Sequence, residues 1–231
     1  ELAKVVVGIK REDSPDLKNK VIFTLAGDHG VTIEGVSVFP QEVTRQMVYN
    51  FLQGGAGINV LARHIGARVV VVDMGVACDL KPHPDLIIRK INYGTKNMLK
   101  EPAMSREEAI RTIIEGIEIV QRELERGIDI IGTGDMGIGN TTSSSAIIAS
   151  ITKAPVEEVT GRGTGIDESK LKHKISVIRK VLEINRPDPN DPIDVLSKVG
   201  GFEIGGLIGI MLAGASHRIP CLLYTSDAAD E

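Results

Sequence analysis

The chain has 231 residues, enough to bury a large core as one domain or one and a half, and its 42% hydrophobic and 25% charged residues are the balance of a soluble globular protein. A formal charge of −4 with acids and bases interspersed leaves no basic footprint for nucleic acid, and aromatics at 3% with no Trp leave no stacking surface for single strands. No apolar stretch reaches the roughly 18 residues of a membrane span, no signal-peptide layout opens the chain, and two distant cysteines, Cys78 and Cys221, form neither a metal spacing nor a disulfide framework, so a cytoplasmic setting is expected.

Residues 1–9 hold an apolar run whose periodicity fits either a strand or the end of a helix, and residues 11–20 read as a charged loop. Val21-Ile-Phe-Thr-Leu-Ala26 has the character of a buried strand, with Gly27-Asp28-His29-Gly30 at its C-terminal end. Ligands collect at that end of strands in open parallel sheets, which makes Asp28 and His29 candidates; the alternative is a polar turn with a locally bonded His. Val43, Met47, Val48, Phe51 and Leu52 recur at helical spacing, Gly54-Gly55-Ala56-Gly57 interrupts them, and a second helix begins near Ile58. Residues 68–74 form the clearest strand, β-branched and without alternation, as in a sheet covered on both faces. A loop over residues 75–84 precedes a short strand within residues 86–91.

Ser105-Arg-Glu-Glu108 is a capping box. It starts a helix with Ala109, Ile110, Ile113, Ile114, Ile117, Val120 and Leu124 on one face, and Gly127 closes it. Next comes the stretch that organises the chain: an apolar run ending in Gly132-Thr-Gly134-Asp135-Met136-Gly137-Ile-Gly139, which passes through Asn140, Thr141 and Thr142 into a helix. Strand, glycine loop and helix N-terminus can cradle an anion, because free backbone N–H groups and the helix dipole converge there. The same glycines match G-x-G-x-x-G. A dinucleotide site also needs an acid closing a second strand about 20 residues on, and here Glu157 and Glu158 fall in a polar, helix-like stretch. No Gly-Lys-Ser/Thr ends a Walker loop. A mononucleotide phosphate or a phosphosugar fits the loop best, a tight turn without ligand being the alternative.

A second glycine-rich turn, Gly161-Arg-Gly163-Thr-Gly165, precedes a helix with Leu171, Ile175, Ile178 and Leu182 as its buried stripe. Lys170 and Lys174 are expected on its outer edge, within reach of a phosphate at a neighbouring loop. Residues 187–192 turn, residues 204–215 read as a tightly packed buried helix, and residues 220–223 start a strand. Residues 224–231 are polar and unlike a strand continuation. Strand and helix patterns alternate throughout, so the expected class is α/β with a mostly parallel sheet.

Five stretches occur in an order that identifies a family: Gly27-Asp-His-Gly-Val31, Gly35-Val-Ser-Val-Phe-Pro-Gln-Glu-Val-Thr44, Gly54-Gly-Ala-Gly-Ile-Asn-Val-Leu-Ala62, Gly134-Asp-Met-Gly-Ile-Gly-Asn-Thr-Thr142 and Asp194-Val-Leu-Ser-Lys-Val-Gly-Gly-Phe202. Over residues 1 to 223 the chain resembles the nicotinate-nucleotide–dimethylbenzimidazole phosphoribosyltransferases. The resemblance implies a Rossmann-like sheet with helices on both faces, an incomplete small helical domain and a homodimer. It implies transfer of phosphoribose from nicotinate mononucleotide to 5,6-dimethylbenzimidazole, with inversion at the anomeric carbon and neither metal nor cofactor, in assembly of the cobalamin nucleotide loop. Residues 1–223 would be the large domain, with residues 1–10 a helix remnant and 224–231 an atypical, mis-joined or truncated tail.

The same resemblance assigns roles. Asp135 becomes a supporting carboxylate near the ribose, where many members carry Glu. Gly134, Gly137, Asn140 and Thr141 would line the phosphoribosyl site, and Gly163 and Lys174 would contact the phosphate. Phe39, Met47 and Met136 would line the benzimidazole pocket, with Asp28 and His29 also at the substrate. The family's catalytic base, a Glu in a Gly-Glu-Gly-Ser-like motif, does not occur in these 231 residues, nor does its Pro-Pro-Gly-Ser-Leu-Gly segment. Slow turnover by this chain is therefore expected, with a non-catalytic mononucleotide-binding protein as the alternative.

Overall fold

Val69 to Val72 is a run of four valines that only a strand covered on both faces can use, and in the computed structural model, which describes residues 1–223, it lies in such a strand. Five parallel strands form one sheet in the order β3-β2-β1-β4-β5. They are β1 (Lys20–Gly27), β2 (Ala67–Gly75), β3 (Leu86–Ile88), β4 (Ile130–Met136) and β5 (Cys221–Leu222). The expected strand within residues 86–91 is real but three residues long, and the ambiguous N-terminal run is a helix, α1 (Leu2–Lys10).

Successive side chains of β1 and β2 point to opposite faces and meet different helices. Phe23, Leu25, Val70, Val72 and Met74 pack under α4 (Arg106–Leu124) and α8 (Phe202–Ser216). Ala26, Val69 and Val71 face α2 (Glu42–Leu52), with α3 (Gly57–Ile65) alongside. Each large apolar side chain so buried contributes about 1.5–3 kcal/mol. A further cluster joins α5 (Asn140–Thr152), α6 (Glu168–Asn185) and α7 (Pro192–Val199) through Ala146, Val177, Ile178, Val181, Val195 and Val199.

The capping box of α4 is reciprocal: Ser105 Oγ accepts from Glu108 N at 3.1 Å, and Glu108 Oε2 accepts from Ser105 N at 2.9 Å. The face that α4 buries is shifted from the expected one: Ala109, Ile113, Ile117, Val120 and Leu124 pack into the core as expected, and Ile110 and Ile114 do not. Ala109, Thr112, Gly116, Ile119 and Val120 are buried, whereas Ile110 and Ile114 are 42% and 48% exposed. The reason is contact with α8, where a Cβ on Gly116 would stand 2.1 Å from the carbonyl oxygen of Gly206. The two backbones touch, and that approach selects the helix line with small residues over the line with more isoleucines.

On the α2–α3 side the sheet is not fully covered. A cavity of about 800 Å³ lies against Val21, Ile22, Ile58, Ile65, Ile130, Gly132, Leu222 and Leu223, away from the C-terminal strand ends. Its one charged neighbour, Lys20, spends its ammonium on the Ile65 carbonyl at 3.1 Å. Size alone does not make it the reaction site. Among the described residues no helix is long and apolar enough to cross a membrane. The tail at residues 224–231 lies outside the described residues.

Candidate active site

The strand order reverses between β1 and β4: from β1 the chain proceeds outward to β2 and β3, then returns to the other side as β4. Such a switch point opens a crevice at the C-terminal strand ends. Three acids gather at that edge. Asp28 directly follows β1, Asp73 pairs with Ala26, and Asp135 pairs with Leu25.

Gly139, at φ 93°, turns β4 into α5. The first-turn amides are less free than the sequence implied. Asn140 N donates to Gly137 O and Thr142 N to Gly139 O, both at 3.0 Å, Thr141 N to the Asn140 side chain at 2.8 Å, and Ile138 N to Thr44 Oγ1 at 3.1 Å. These four amides are already engaged, and the positive charge that an anion would meet comes from a side chain.

It comes from Lys174. Rather than lying on an outer edge, this side chain is buried, 1% exposed, and points into the glycine loops. Its Nζ donates to Thr141 Oγ1 at 2.7 Å and to Gly161 O at 3.3 Å. No carboxylate pairs with it among the ion pairs of the described residues. Burial pushes its pKa down to about 8. Gly163, at φ 54°, leaves room for it: a Cβ there would lie 2.9 Å from Thr141 Oγ1 and 3.4 Å from Lys174 Nζ. Beside them is a pocket of about 120 Å³ walled by Ser37, Met136, Gly137, Asn140, Thr141 and Thr164. Gly137, Asn140, Thr141, Gly163, Lys174 and Met136 are thus brought to one place.

Asp135 stands at the mouth of this site, open to solvent at its tip, with Oδ2 accepting from Asn140 Nδ2 at 2.6 Å. Desolvation within the crevice, then the nearby Glu203 carboxylate, push its pKa up, and Asn140 and His29 oppose that. Gly134, in β4, leads into the loop. Met47 and Met136 are half-buried in the cluster with Phe51. Phe39 stands half out in solvent, away from that cluster.

Asp28 and His29 are both buried but diverge. Asp28 Oδ2 accepts from Ala77 N at 2.8 Å, its Oδ1 has no hydrogen-bond partner, and desolvation raises its pKa. It faces a separate pocket of about 240 Å³ with Gln41, Glu42, Arg45 and Cys78. His29 lies beneath the glycine loop, its Nε2 2.7 Å from Glu203 Oε1 and its Nδ1 3.1 Å from Ser143 Oγ. Glu203 escaped the sequence reading. The available signal was a lone acid opening an otherwise uncharged, apolar helix directly after Gly200-Gly201. Lys90 was also missed: it pairs with buried Asp73 at 2.9 Å and holds the Val76 and Cys78 carbonyls, fixing the loop that donates to Asp28. Among the described residues no group of three or more His, Cys, Asp or Glu could hold a metal ion.

Comparison with known proteins bears on this geometry. The phosphoribosyltransferase family DBI_PRT matches residues 1–225. A nicotinate-nucleotide–dimethylbenzimidazole phosphoribosyltransferase of Desulforudis audaxviator is 57% identical over 231 residues, spanning 99% of this chain and 65% of that protein. One of the same designation from Chloroflexus aurantiacus is 54% identical over 96% of this chain and 64% of its own length. The crystal structure of CobT from Thermus thermophilus superposes with a TM-score of 0.91 at 41% identity, covering 96% of this chain and 68% of that one. The chain spans a little under two thirds of the length of the curated relatives it matches.

Proposed function

Because this chain belongs to the DBI_PRT phosphoribosyltransferase family, we propose that its protein transfers phosphoribose from nicotinate mononucleotide to 5,6-dimethylbenzimidazole. The products are nicotinate and α-ribazole 5′-phosphate, an intermediate of the cobalamin nucleotide loop. The observation that carries the reading is Lys174, a buried ammonium with no carboxylate partner among the described residues, beside Thr141 and Gly163 at the wall of a pocket of about 120 Å³. A buried cation without an anion is costly unless a ligand supplies one, and a 5′-phosphate is the anion that a sugar nucleotide brings.

In this reading phosphate held at Lys174 anchors the sugar, and its anomeric carbon points towards Asp135. The bond from that carbon to the pyridinium nitrogen breaks, and its electron pair neutralises the ring, so the leaving group needs no protonation. An acceptor nitrogen attacks from the opposite face, which turns the β-linkage into an α-linkage. The acceptor's other ring nitrogen then loses its proton to a carboxylate. Holding two flat rings on either side of one sugar is the protein's main contribution. Asp135 lends negative charge as the sugar carbon becomes positive, and Met47 and Met136 offer apolar surface to the dimethylated ring. The protein would work in the cytoplasm as a homodimer, with small molecules and not nucleic acid as its ligands.

Titration calorimetry with nicotinate mononucleotide, beside chromatography for α-ribazole 5′-phosphate, tests the proposal. Binding with nicotinate release only when the benzimidazole is added supports it. Binding without release would instead indicate a mononucleotide-binding protein, and tight binding of a nicotinamide dinucleotide would indicate an oxidoreductase.

A further inference from the structure

We propose that Glu203 and His29 are positioning residues of this site, a buried ion pair under the glycine loop that fixes the loop's backbone and holds a negative charge behind Asp135. The proposal rests on the transfer reading above for its catalytic consequence, though not for the pair itself.

The contacts of the ring suit its charged form. Ser143 Oγ lies 3.1 Å from His29 Nδ1 and 3.3 Å from Gly200 O, so it can accept from the ring while its own proton goes to that carbonyl. Glu203 Oε1, 2.7 Å from Nε2, also accepts. In that arrangement both ring nitrogens donate, which is the imidazolium form. Burial opposes the charged ring, and the Glu203 contact, aided by Asp135 and Asp28, outweighs burial. The charged groups facing His29 are Asp28 beside it, Asp135 from β4 and Glu203 from α8; α5 contributes the uncharged Ser143.

Three glycines clear the space. A Cβ on Gly27 would stand 2.5 Å from Glu203 Oε2, and one on Gly201 would stand 2.5 Å from both Glu203 Oε1 and His29 Cε1. One on Gly137, in the loop itself, would be 3.2 Å from the His29 ring and 2.1 Å from Gly27 O. The pair thus ties the end of β1, the first turn of α5 and the α7–α8 turn into one unit beneath the loop. Glu203 is 0% exposed, yet its Oε2 has no hydrogen-bond partner. Such groups are rare in native interiors and call for a reason. A cationic substrate supplies one: three carboxylates surround a single imidazolium, which leaves net negative charge below a pyridinium and a sugar carbon that turns positive during transfer.

The test begins with NMR titration of the His29 ring in the unmodified chain, repeated for Glu203→Gln. The pair predicts a His29 still protonated when ordinary histidines, near pH 6.5, have lost their proton, and a ring that loses it earlier in E203Q. In the transfer assay E203Q should lower kcat by about tenfold or more while KM for nicotinate mononucleotide stays within about threefold. The acid limb of the kcat profile should move to lower pH, because Asp135 loses the like charge that raises its pKa. Glu203→Asp, which keeps the charge, should recover part of both effects. A neutral His29 in the unmodified chain overturns the proposal even if E203Q does not fold. So does an E203Q enzyme with unchanged kcat and acid limb. If the unmodified protein makes no product, the transfer reading fails, and the ring titration alone decides the pair.

Discussion

Replacing Lys174 by Met should make the ligand-free protein more stable and the nucleotide complex weaker. A drop from 10.5 to about 8 in the lysine pKa corresponds to about 3.4 kcal/mol at 1.36 kcal/mol per unit, an upper bound on the cost of keeping this charge buried. Met fills a similar volume without charge, but it leaves Gly161 O and Thr141 Oγ1 without their donor, a loss of about 1 kcal/mol. The difference favours Lys174→Met by about 2 kcal/mol at pH 7. The sign with pH follows from linkage. The unfolded lysine binds its proton below 10.5 and the folded one only below about 8, so wild-type stability is lost as pH falls through that window. The variant's advantage is therefore full below pH 8 and shrinks above it. Urea denaturation of both proteins between pH 7 and 9.5 measures this. The same substitution should weaken nicotinate mononucleotide about tenfold to a hundredfold, the worth of a charge-assisted contact, and leave dimethylbenzimidazole binding unchanged. Wild-type affinity for the nucleotide should itself fall above pH 8, where the free lysine is neutral. A variant that is less stable at every pH, with equal losses for both ligands, would show that Lys174 is a packing residue and would refute the reasoning.

Asp135→Asn keeps the contact with Asn140 within reach but removes the charge; turnover should fall by about a hundredfold, with nucleotide affinity in calorimetry changed only a few-fold. Gly116→Ala forces a methyl against the Gly206 carbonyl, so α4 and α8 must separate, and chemical denaturation should report a loss of about 1–3 kcal/mol without a change in nucleotide affinity.

The strands were legible because a buried parallel strand needs a continuous β-branched run, and Val69 to Val72 has no other use. The crevice was legible too, since Asp28 and Asp135 each follow such a run at its C-terminal end. Side-chain burial was harder to read. Lys174 sits three residues after Leu171 and four before Ile178, on the very stripe that faces inward, yet its charge argued for solvent. A ligand site reverses that rule, because a buried cation becomes useful once an anion arrives. Glu203 is the same case with opposite sign. One edge of the buried face of α4 was misjudged for a different reason: Ile110 and Ile114 outweigh Thr112 and Gly116 in hydrophobicity, but backbone contact with a glycine-rich α8 rewards smallness. Nor could the spacing of glycines reveal that the amides of Asn140, Thr141 and Thr142 satisfy their hydrogen bonds locally.

The most direct measurement is a chromatographic time course of the protein carrying these residues, incubated with nicotinate mononucleotide and 5,6-dimethylbenzimidazole. The account predicts α-ribazole 5′-phosphate and nicotinate appearing in equal amounts, with a rate that falls when Lys174 or Asp135 is replaced. Nucleotide bound at the Lys174 pocket with no nicotinate released, whatever base is added, would contradict it.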